Sequence, residues 1–171
     1  EAPTTEPPDP VAEILEGLSL EEKVGQLFLA RCRAETAIED IENYYLGGYV
    51  LFGVDFQEET QESLKSKLCS YQDASPIPML LAVDEEGGTV CRVSAYPAFR
   101  AEKFPEPRAS FQKGGLELAL SMETEKAYLL WDLGLNVNLA PVCDISLNPG
   151  AFMYHRSLGA DPITTGAYVT G

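Results

Sequence analysis

The stretch Met79-Leu80-Leu81-Ala82-Val83-Asp84-Glu85-Glu86-Gly87-Gly88 decides how the chain is read. Its unbroken apolar half predicts a short buried strand over Met79 to Val83. The abrupt change to carboxylates and two glycines marks the strand's end and a tight turn beyond it. Outward from this point the same rhythm recurs. Tyr49-Val50-Leu51-Phe52 reads as a buried strand, Asn136 to Ala140 as another, and the short apolar run from Gln26 to Ala30 as a fourth.

Helical patterns lie between them. Asp9-Pro10 looks like a cap followed by proline at the first helical position, with Val11, Ile14, Leu15 and Leu18 at helical spacing. Ser19-Leu20-Glu21-Glu22 has the capping-box arrangement and opens a second helix leading into Val24 and Leu27. Thr36 to Leu46 is amphipathic, with Ile38, Ile41 and Tyr45 on one face and a stop at Gly47-Gly48. Glu58 to Tyr71 turns Leu64 and Leu68 inward, and Leu116 to Leu133 is helical again. Strands separated by helices signify a parallel sheet, because parallel neighbours need long crossovers. The expected class is therefore α/β. The longest irregular stretch, Gly87 to about Gly115, reads as a functional or disordered loop.

The 171 residues fit one domain by length, and 45% hydrophobic with 23% charged residues are enough for a packed core. A formal charge of −15 excludes the basic surface that nucleic acids or anionic membranes demand. No stretch approaches the roughly 20 apolar residues that span a bilayer. One histidine and four scattered cysteines make a poor source of metal ligands. Cys32, Cys69, Cys91 and Cys143 are too far apart for a CxxC motif and read as mostly buried free thiols rather than bridges. Residues 1–10 carry four prolines with acidic and threonine residues and read as a stiff solvated tether. Such a leader fits a removed signal or lipid-anchor segment and an extracellular or surface-tethered protein; an ordinary disordered N-terminus fits equally well.

Ligands of parallel βα folds bind at the carboxyl ends of the strands. Asp84 and Asp144 fall there, with Arg92 a few residues beyond Asp84 and Arg156 in the later segment His155 to Pro162. Carboxylates and guanidinium groups on one rim suit a hydroxylated ligand held by charge-assisted hydrogen bonds, and they equally suit a salt-bridge network that closes the loops. Asp144 leans to a structural hydrogen-bonding role. Gly87 and Gly88 allow a tight turn that a ligand can approach closely, while Glu85 and Glu86 could both be solvated turn residues. His155 has the chemistry of a general base, but a lone histidine without a partner is more often a loop or core residue.

In order, Ser19-Leu20-Glu21-Glu22-Lys23-Val24-Gly25-Gln26-Leu27, Gly47-Gly48-Tyr49-Val50-Leu51-Phe52, Asp84-Glu85-Glu86-Gly87-Gly88 with Arg92, Gly134 to Asp144, and Arg156-Ser157-Leu158-Gly159-Ala160-Asp161-Pro162 resemble the N-terminal part of a glycoside hydrolase family 3 enzyme, on the β-N-acetylglucosaminidase branch. The resemblance covers nearly everything after the tether. It implies a (β/α)8 barrel and a retaining hydrolase that removes terminal β-linked N-acetylglucosamine, or a related sugar, from a cell-wall or glycan fragment through an aspartate nucleophile. It further implies that Asp84 hydrogen-bonds sugar hydroxyls, that Arg92 and Arg156 hold the same sugar, and that Asp144, Gly87, Gly88 and Asp161 are supporting residues. No metal or organic cofactor is implied.

The resemblance also has gaps. The family's Lys-His-Phe-Pro-Gly-His-Gly segment, its acid/base histidine and its nucleophilic aspartate have no match up to Gly171, and His155 matches neither histidine. Residues 11–171 therefore read as the N-terminal half of the barrel, about four βα units, with part of the sugar subsite and no catalytic residue. A half-barrel exposes strand edges, so either the missing half or a second half-barrel is expected to cover them. A non-catalytic carbohydrate-binding or assembly module built on the half-barrel is the alternative function.

Overall fold

The computed structural model describes residues 9–171. The tether expected over residues 1–10 lies outside them except for its last two. Asp9 accepts a hydrogen bond from the Val11 amide at 2.9 Å, and Pro10 opens helix α1 (Pro10–Gly17), whose first turn needs no donor at that position. Ser19 and Glu22 form the reciprocal capping box of α2 (Leu20–Gly25), with bonds of 2.7 and 3.2 Å.

The chain then alternates through β1 (Leu29–Arg31), α3 (Ala37–Tyr44), β2 (Gly48–Leu51), α4 (Gln61–Ala74) and β3 (Leu80–Val83). It continues through a small ribbon of β4 (Glu85–Gly87) and β5 (Val90–Cys91), the long α5 (Pro107–Leu133), β6 (Val137–Asn138) and α6 (Pro162–Thr170). Strands β1, β2, β3 and β6 form one parallel sheet in that order, with Tyr49 opposite Leu81 and Ala82 opposite Val137. The expected alternation is the observed one. Alternate residues of β2 and β3 (Tyr49, Leu51, Leu81 and Val83) are fully buried and pack with Ile41, Leu64, Leu68, Tyr71, Leu130 and Leu133 of the covering helices. Each such aliphatic side chain contributes roughly 1.5–3 kcal/mol on burial.

Strand β6 is short, and its attachment rests on side-chain amides as well as the ladder. The Asn136 side chain accepts from the Leu81 amide at 2.7 Å and donates to the Met79 carbonyl at 2.9 Å. Asn138 likewise accepts from the Glu85 amide at 3.0 Å and donates to the Glu85 carbonyl at 3.2 Å. Both amides mimic a peptide group and bind the neighbouring backbone.

Three local expectations are corrected. Helix α3 ends at Tyr44 and is capped by Tyr45, a non-glycine residue with φ of 53°, rather than stopping at Gly47-Gly48. Its buried residues are Ala37 and Ile41, while Ile38 and Tyr45 remain partly exposed. Gly48 is needed because a Cβ there would strike the Leu80 carbonyl of the paired strand. Helix α5 begins at Pro107, nine residues before Leu116, and is broken at Gly114 and Gly115, where Gly115 takes a φ of 65°. The expected long loop thus contains the last residue of β4, all of β5 and the first part of α5. Of the four thiols, all free, Cys32 and Cys91 are buried but Cys69 and Cys143 are exposed.

Candidate sugar-binding site

Asp84 follows the last residue of β3, and the chain doubles back through β4 and β5 to bring Arg92 beside it, the guanidinium 3.9 Å from the carboxylate. Gly87 and Gly88, with φ of 102° and 64°, make the turn possible. A Cβ on Gly87 would strike the Pro105 carbonyl, and one on Gly88 the Glu106 side chain. The close approach that these glycines permit is by the chain itself.

The two glutamates between Asp84 and the glycines are not solvated turn residues. Glu85 is fully buried, and its carboxylate accepts from the amides of Arg92 at 2.8 Å and Val93 at 2.7 Å and from the Ser94 hydroxyl. It acts as a clamp that fixes where Arg92 leaves the ribbon. Glu86 is 4% exposed and binds Arg156 through two hydrogen bonds, Nε at 2.8 Å and Nη2 at 2.5 Å. This bidentate bond raises the Arg156 pKa above its ordinary value, with Asp84 and Asp144 adding to it through space. Asp84 thus pairs with Arg92, and Glu86, two residues further on, holds Arg156.

Asp144 itself is exposed and makes no hydrogen bond among the described residues, contrary to the structural hydrogen-bonding role expected of it. Asp161 caps α6, accepting from the amides of Ile163 at 2.9 Å and Thr164 at 3.1 Å and from the Thr164 hydroxyl at 2.6 Å. The hydroxyl bond foremost, with the amide bonds behind it, holds the Asp161 pKa below the usual carboxylate range. His155 lies on the loop before Arg156, largely exposed, with Nδ1 3.2 Å from the Glu106 carboxylate.

Two supports escape a reading of the motif alone. Phe52, immediately after β2, carries the Arg31 guanidinium 5.1 Å and the Arg92 guanidinium 5.9 Å from its ring centre. Arg108, near the start of α5, is buried and donates to the carbonyls of Tyr154 (2.9 Å) and Ser146 and to the Ser157 hydroxyl (3.1 Å). It straps the loop that bears Arg156 to the helix. Leu158, where the family commonly has phenylalanine, is fully buried beside Ala119, Ala160 and Tyr168. The side chains of Asp84, Arg92 and Arg156 retain 26, 32 and 24% exposure. A ligand hydroxyl can therefore donate to the carboxylate and accept from either guanidinium.

Residues 19–171 match the model of the glycosyl hydrolase family 3 N-terminal domain. The chain belongs to glycosyl hydrolase family 3. Its four βα units correspond to the N-terminal half of the family's barrel. Beta-hexosaminidase LpqI of Mycobacterium tuberculosis is 29% identical over 153 residues, 88% of this chain and 38% of that protein. The solved structure of M. tuberculosis LpqI superposes with a TM-score of 0.78 and 26% identity over 93% of this chain and 45% of that one. A family 3 β-N-acetylglucosaminidase from Paenibacillus sp. str. FPU-7 gives a TM-score of 0.74 at 26% identity, covering 89 and 30% of the two chains. A protein of Arthroderma benhamiae named as a secreted glycosyl hydrolase is 29% identical over 126 residues, 67% of this chain and 32% of its own length. The chain thus spans less than half the length of these curated relatives.

Proposed function

We propose that the protein carrying this chain is a retaining β-N-acetylhexosaminidase, and that residues 11–171 supply part of its sugar subsite. The observation that carries this reading is the Asp84–Arg92 pair just beyond β3 beside Glu86, which holds Arg156, with all three of Asp84, Arg92 and Arg156 keeping partial exposure. Family membership and relatives named beta-hexosaminidase support it. Asp84 accepts hydrogen bonds from sugar hydroxyls, and Arg92 and Arg156 donate to sugar oxygens. The reacting groups, an aspartate nucleophile and an acid/base group, are not assigned to any residue of this chain; its role is to place the sugar. The ligand is a carbohydrate from a cell wall or glycan, and the secreted relative supports an extracellular or surface location.

Among the described residues β1 and β6 are the edge strands of the sheet, each with one neighbour. We assign their other sides to the rest of a barrel, with a second half-barrel as the other possible cover; sedimentation of the 171-residue chain as a compact monomer with no exposed apolar surface would argue against both. The catalytic reading is tested by assaying the natural full-length protein on a chromogenic β-N-acetylglucosaminide. Release of the chromophore with retained configuration is expected, and no turnover of that substrate or of any β-glucoside or β-xyloside overturns it.

A further inference from the structure

Lys126, in the body of α5, is 1% exposed and is the most deeply buried cation among the described residues. Its ammonium donates to the Glu86 carbonyl at 2.7 Å and to the Glu123 carboxylate at 2.7 Å, with the Phe104 ring 5.7 Å away. The same Glu123 oxygen accepts the hydroxyl of Tyr168 from α6. One buried charge thus joins α5, α6 and β4. Stability is a weak reason for keeping it, because well-packed apolar residues often replace buried ion pairs without loss.

Its point of attachment supplies a better reason. In the β4–β5 ribbon Glu85 pairs with Cys91 and Gly87 with Val90, so Glu86 is the extra residue of a β-bulge. A bulge re-aims its side chain, here toward Arg156, and two glycines of positive φ follow it directly. Backbone of this kind has several accessible orientations. Lys126 fixes one of them by gripping the bulge carbonyl from the core side.

We propose that Lys126 is a positioning residue for Arg156: by anchoring the Glu86 bulge it makes the Glu86 carboxylate present both oxygens to the arginine that holds the sugar. The inference rests on the sugar-site reading above. Lys126→Met in the natural full-length protein is expected to raise KM for a chromogenic β-N-acetylglucosaminide, and the calorimetric Kd for N-acetylglucosamine, by about tenfold, with kcat of the folded enzyme little changed. In a Glu86→Gln background the same substitution is expected to add nothing further, because both act through one contact. A merely structural lysine would instead lower the folded fraction and leave KM and Kd where they were.

Tyr168→Phe, which removes only the outer hydroxyl, is expected to move KM and Kd in the same direction by a smaller factor, and it decides the matter where Lys126→Met does not fold. Unchanged KM and Kd in the folded variant, beside a raised KM in Arg156→Ala, overturn this inference alone. Unchanged KM and Kd in Arg156→Ala, or neither turnover nor N-acetylglucosamine binding by the unaltered protein, overturn the sugar-site reading and this inference together.

Discussion

Glu86 on β4 and Arg156 on the loop after β6 lie 70 positions apart in sequence and meet through two hydrogen bonds, of 2.8 and 2.5 Å. The carboxylate is almost wholly buried and the guanidinium about three-quarters so. Removing one partner of such a pair leaves the other charge uncompensated, which typically destabilises by about 3–5 kcal/mol. Because Arg156 keeps some solvent access, Glu86→Ala is expected at the lower end, about 3 kcal/mol, read from the urea midpoint at constant slope. A loss below about 1 kcal/mol would mean that water already screens the pair.

Asp84 makes a weaker internal pair, 3.9 Å from Arg92 with both side chains partly exposed, so its substitution separates binding from stability. Asp84→Ala is expected to lower kcat/KM on a β-N-acetylglucosaminide by about 10- to 150-fold, the range that one charge-assisted hydrogen bond supplies, with little change in melting temperature. Equal kcat/KM in the two proteins would remove Asp84 from the sugar site.

Much of this architecture is legible from residue patterns, for definite reasons. Buried runs such as Leu81-Ala82-Val83 announce strands, and the Ser19–Glu22 box announces a helix start, because each depends on residues close in sequence. The rim position of Asp84 follows from the strand before it. The roles of Glu85, Glu86, Lys126 and Arg108 depend on partners far along the chain. Two consecutive glutamates before Gly-Gly look like a solvated turn until the ribbon folds back and buries both carboxylates. The Asn136 and Asn138 clips carried a usable signal: polar amides alternating with Leu135, Val137 and Leu139 in a strand demand backbone partners when that strand is covered.

The glycines permit a contrast between backbone strain and collision. Gly115 has a φ of 65° with ψ of −161°, a region essentially restricted to glycine, and open space where a Cβ would be placed, so Gly115→Ala is expected to destabilise by about 1–3 kcal/mol through conformation alone. Gly87 has a φ of 102° and would drive its Cβ into the Pro105 carbonyl, so Gly87→Ala is expected to be clearly worse and to disturb sugar binding through the ribbon. Equal midpoints for the two variants in a urea series would contradict the close packing of the ribbon on the α5 leader.

The thiols supply a test of burial that also carries a pH dependence. Cys69 and Cys143 are exposed and are expected to react with a thiol reagent in the native protein, whereas Cys32 and Cys91 are expected to react only after denaturation. Burial above all pushes both inner thiols up from their ordinary value, against the Tyr71 hydroxyl bond that favours the Cys32 thiolate and with the Glu85 carboxylate adding to the rise at Cys91. A group whose pKa is raised on folding binds its proton more tightly in the native state, so its contribution is whole below the ordinary thiol range and is lost as pH rises from there through the raised native value. Stability is therefore expected to fall on the alkaline side, and Cys32→Ser with Cys91→Ser to flatten that fall as well as lower the plateau. Rapid native labelling of all four thiols would place Cys32 and Cys91 at the surface and contradict the packing of β1 and β5.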